Sequence, residues 1–168
     1  MPYQDCNAPT QPEETTCTDS SVRRLVEANI NPATGLATDY LNHFYEAIML
    51  LELLPSCPDC RDDILAWRPM SYREHFAASA FSDRALAIAA YETVDAALRT
   101  RLEELATDMG ALVAEIHTVL QANPAPGASD QLAVYTAAQL RPLAAQAAAL
   151  INGSTEAPQA VIDGLMNT

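Results

Sequence analysis

Leu98, Leu102, Leu105, Met109, Leu112, Ile116 and Val119 alternate steps of four and three residues, the spacing that keeps an apolar seam on one side of a long helix. A strand cannot use that period, because its side chains change face at every residue. Ala106, Val113 and Leu120 widen the seam at e-type positions, so the helix should meet several neighbours instead of one coiled-coil partner. The pattern predicts a helix over about 95–121, opened by Thr93 or Asp95 and closed before Asn123-Pro124-Ala125-Pro126-Gly127.

Other segments follow the same logic. Leu41, Phe44, Ile48 and Leu51 predict a central helix over about 36–54, stopped by Pro55 and apolar all round at Ile48-Met49-Leu50-Leu51. An Ala-rich helix is expected over about 129–152, kinked by Pro142 and capped by Gly153. Its small side chains suit close packing within the bundle or across a dimer. Short helices should begin at Asp19 or Ser20, at Ser56 or Cys57, at Ser71 with Glu74 as a capping box, at Ser82 or Asp83, and at Pro158 through Met166. Alternating β-branched runs are missing, so the chain reads as an all-α multi-helix bundle: an irregular arm over 1–17 and a single helical domain over 18–168.

At 168 residues the chain can bury a core without disulfides or a structural metal. Its net charge of −13, with all nine cations Arg, repels nucleic-acid phosphates and anionic lipid, and no basic face offsets it. The first residues, Met1-Pro2-Tyr3-Gln4-Asp5, have neither a basic nor an apolar leader pattern. The run Ala47–Leu54 is interrupted by Glu52 and is far too short to span a bilayer. These features lead to the expectation of a cytoplasmic protein whose four Cys are thiols or ligands rather than structural disulfides.

Three constellations could carry chemistry. Cys57-Pro58-Asp59-Cys60 places two sulfurs at a helix start, where they could pair or hold one metal. Asp59, Asp62 and Asp63 outnumber Arg61 and oppose a thiolate. The spacing is similar to that of all-α alkylhydroperoxidase D-type proteins, but Ile64 stands where they place a proton-shuttling His. Asp39, His43 and Glu46 share one face of the predicted central helix and could bind a divalent metal; otherwise they form a polar stripe, with Leu50 and Leu53 on the same side asking for cover. Trp67, Arg68, Tyr72, Arg73, His75 and Phe76 fall within ten residues, a composition shared by interface hot spots and by tightly closed helix corners.

Two expectations follow. The first is a non-enzymatic acidic bundle that works by protein–protein association, as a homodimer or with an unidentified partner, through the Ala-rich and heptad helices or the Trp67–Phe76 segment. The second is a small helical metal-binding or thiol-redox protein in which His43 and His75 meet near Cys57 and Cys60. The first requires no cofactor and the second a divalent metal or a thiol pair; neither involves nucleic acid or membrane.

Overall fold

The computed structural model describes residues 14–122 and 127–154. Among them seven α-helices succeed one another: α1 (Glu14–Glu27), α2 (Asn42–Leu53), α3 (Cys60–Ala66), α4 (Tyr72–Ala78), α5 (Arg84–Glu92), α6 (Ala96–Gln121) and α7 (Ala128–Ile151). The chain is an all-α multi-helix fold, as the periodicity requires. A small antiparallel ladder, β1 (Ile30–Asn31) with β2 (Leu36–Ala37), and a 3-10 turn (Thr38–Leu41) precede α2.

That ladder corrects the expected start of the central helix at residue 36. The Ala37 N–H donates to the Tyr72 hydroxyl at 2.9 Å, and Leu36 pairs with Asn31, so this backbone is hydrogen-bonded in extended form before α2 begins. Further boundaries move as well. The first helix begins at Glu14, inside the arm expected over 1–17. The third begins at Cys60 instead of Ser56 or Cys57, because Cys57–Asp59 form a tight turn in which Cys60 N–H donates to the Cys57 carbonyl at 3.0 Å. Residues 1–13 of the arm and the helix expected over Pro158–Met166 lie outside the described residues.

Local capping follows the sequence closely. Ser71 and Glu74 form a reciprocal capping box on α4, and the Asp95 carboxylate accepts from Ala97 and Leu98 N–H at the start of α6. Gly153, at φ +72°, closes α7 with paired bonds: Ser154 N–H to Ala149 and Gly153 N–H to Leu150. Between its ends α7 runs unbroken through Pro142, which sits on the exposed side.

α7 lies against both α6 and α2. Ala133, Ala137, Leu140, Ala144, Ala147 and Ile151 are each 0 % exposed, again at steps of four and three. Small side chains there let backbones approach closely, and this inner stripe belongs to the bundle of one chain. α2 runs antiparallel to α7. Ile151 accepts from the Asn31 and Thr34 side chains ahead of α2, while Glu52, near the other end of α2, accepts two bonds from Arg141, at 2.9 and 2.5 Å.

In α6 the buried line is Leu102, Leu105, Met109, Val113, Ile116 and Leu120, whereas Leu98, Leu112 and Val119 are half-buried. A straight helix of 3.6 residues per turn drifts about 20° per heptad, so the core side moves from d-type to e-type positions along its length. Leu105 and Leu112 occupy equivalent heptad positions yet differ in burial. Leu105→Ala should therefore cost about 2–5 kcal/mol in urea unfolding, and Leu112→Ala less than about half of that. Equal losses would contradict the straight helix.

Candidate functional site

The densest cluster of chemically capable side chains sits where the α3–α4 corner closes on α2. Trp67 ends α3 in extended conformation and lays its indole on the His43 ring, with centroids 4.4 Å apart and planes 17° from parallel. The Trp67 Nε1–H donates to the His43 carbonyl at 3.0 Å, and His43 Nε2 returns a bond to the Arg68 carbonyl at 2.6 Å. Because a carbonyl only accepts, His43 carries its proton on Nε2. Tyr40 donates to the Met70 carbonyl at 2.9 Å and packs edge-on against Phe44 and His75.

Trp67, Tyr72 and Phe76 are 7 %, 3 % and 0 % exposed, which corrects their place among the expected interface residues. A corner of this kind must cover the apolar side of α2, and large rings do so with little entropy cost. Arg68 and Arg73 do reach solvent, but both are engaged. Arg68 caps the Leu65 and Trp67 carbonyls at the end of α3, and Arg73 forms an ion pair with Glu92 of α5.

The acid–imidazole constellation is divided. Asp39 lies in the 3-10 turn, not on the helix face expected for it, and accepts from Asn29 Nδ2 at 2.6 Å. His43 is buried and Glu46 exposed. His43 and His75 do meet across two helices, their centroids 6.1 Å apart. Among the described residues no group of three or more His, Cys, Asp or Glu side chains converges to hold a metal ion. Another imidazole, His117 of the long helix, is half-buried and bonds the Ile64 carbonyl at 2.6 Å, joining α6 to α3.

Cys57 and Cys60 are free thiols in the turn that opens α3, one half-buried and one buried. A hydrogen bond with Cys57 raises the Cys60 pKa, and burial and the Asp63 and Asp59 charges add to it. Proximity makes this pair able to form a disulfide, while its electrostatics oppose a thiolate nucleophile.

Two residues outside all three constellations, with Leu53 of the polar stripe left uncovered beside them, make an apolar line on the surface. Tyr45, Met49 and Leu53 project from the outer face of α2 and are 45 %, 51 % and 42 % exposed. Their spacing of four was legible, but α2 is apolar on nearly every side, so nothing local separated the covered positions from the uncovered ones. Glu46 and Glu52 flank them. The chain matches no protein-family model, no curated protein and no solved structure. Among the described residues no helix is long and apolar enough to cross a membrane.

Burial is the main cause holding His43 below its ordinary value of 6.5, with the Arg68 carbonyl and Glu46 opposing. His75 is lowered by burial and by His43, against the Asp39 carbonyl and carboxylate. The unfolded chain therefore binds these protons more readily than the folded one. Their contribution to stability is complete above the ordinary value and is lost as pH falls beneath it. Melting temperature should drop between about pH 7 and about pH 5, and by less in His43→Gln. Trp67 emission, which senses the stacked ring, should titrate with a midpoint below 6.5; a midpoint above it would contradict the assignment.

Proposed function

We propose that this protein works in the cytoplasm by associating with a partner protein that docks on the outer face of α2. The observation carrying this reading is the line of Tyr45, Met49 and Leu53, each more than 40 % exposed on one helix face. Isolated exposed apolar side chains are ordinary on protein surfaces. A line of three along one face, including a Tyr and a Met, has the composition of an interface core.

Charge selects the kind of partner. Two copies, each with a net charge of −13, repel at long range, and Glu46 beside the stripe would meet its like in a two-fold pairing. A partner with an apolar ridge bordered by Arg or Lys is complementary and would be steered toward this face. The Glu52–Arg141 pair ties the end of α2 to α7 beside this face.

Site-specific photo-crosslinking in cells is the direct check. A reactive residue at position 49 should yield one dominant adduct, and one at exposed Arg101 on α6 should not. Against the purified partner, Tyr45→Ala should weaken binding at least about tenfold, the loss typical of a hot-spot aromatic. Equal labelling at both positions would overturn the proposal. So would light scattering that finds a concentration-dependent dimer abolished by Met49→Glu, since the stripe would then be covered by a second copy.

A further inference from the structure

On another side of the molecule, a groove of about 520 Å³ runs between α6 and the α3–α4 corner. α6 contributes Leu102, Ala106 and Gly110, and the corner contributes Pro69 and Met70. Gly110 is what allows the two walls to approach: a Cβ there would stand 3.2 Å from the Cβ of Pro69. The volume falls in the range of small-molecule sites, about 300–1,000 Å³.

Apart from tyrosines, Glu103 is the only titratable side chain among the described residues of the lining. Its carboxylate is oriented by Tyr91, whose hydroxyl donates to Oε1 at 2.6 Å. Tyr91 is itself held between the Tyr72 ring, stacked at 4.5 Å, and the Arg99 guanidinium, 5.5 Å from its centroid. Burial, followed by the bond to Glu103, raises the Tyr91 pKa, so the hydroxyl keeps its proton and remains a donor. A carboxylate has about four acceptor positions, of which this bond occupies one. An apolar trough ending in one positioned carboxylate repels anions and selects a cationic donor with a hydrophobic body.

We propose that the groove binds a small organic amine, its apolar body lying on Met70, Leu102 and Ala106 and its ammonium group donating to Glu103. The site is separate from the outer face of α2, and either proposal can fail without the other.

The test is a methyl NMR titration of the full chain with phenethylammonium chloride, using 3-phenylpropionate as the anionic counterpart of the same size. The amine should produce saturable shifts at the Met70 and Ala106 methyls, and the carboxylate should not. Glu103→Gln should weaken amine binding at least about tenfold, as expected for loss of a charge-assisted hydrogen bond. Ala111 is exposed on the rim, so Ala111→Phe should block the groove without changing the melting temperature. Equal shifts with the carboxylate, amine affinity unchanged in Glu103→Gln, or no methyl shift at saturating amine would each overturn the proposal. Shifts at these methyls on dilution without amine would overturn it too, because the occupant would then be a second copy of the chain.

Discussion

The two hydrogen bonds exchanged between Trp67-Arg68 and His43 hold the rest of the structure in place. The indole N–H donates to the His43 carbonyl while the His43 ring donates to the next carbonyl along the corner, that of Arg68. Each bond satisfies a polar group that would otherwise be buried without a partner, a deficit of about 1–3 kcal/mol apiece. Together they clamp the α3–α4 corner onto α2, and the other ties to that corner depend on this position. Tyr40 reaches Met70, Tyr72 reaches back to the ladder at Ala37, and Pro69 comes down on Gly110.

This clamp also divides the surface. With Trp67, Tyr72 and Phe76 turned inward, the aromatic segment closes the core and leaves its two arginines outside to cap carbonyls and pair with Glu92. α2 is then covered by α7 on one side and by the corner on another, and the remaining arc is the Tyr45–Met49–Leu53 face. The corner likewise forms one wall of the groove at Glu103. The proposed partner surface and the proposed small-molecule site thus lie on different sides of a single clamp.

Some of this was legible residue by residue, for reasons that are local. Ser71 with Glu74, Asp95 and Gly153 act within one helical turn, so their capping roles follow from chemistry and spacing alone. The long helix was visible as period, and α7 as an Ala-rich segment closed by Gly153. The role of His117 was not: its b-type heptad position carries no local sign of a partner, and only the approach of α3 supplies the Ile64 carbonyl that it bonds. Asp39 looked helical because nothing in the pattern marks Leu36-Ala37 as extended, and what holds them so is pairing with Ile30-Asn31 together with a tyrosine hydroxyl 35 residues away in sequence.

The candidate sites divide in the same way. Residue type and spacing were enough to dictate helices, their caps, an acidic surface and the closeness of Cys57 to Cys60, because each rests on neighbours within a turn or on a simple sum of charge. Which face of α2 stays uncovered, which half of the α6 seam is buried, whether Trp67 points inward and whether Tyr91 meets Glu103 depend on which helices become neighbours. Those contacts join distant parts of the chain, and no local period encodes them, so only the assembled fold could decide them.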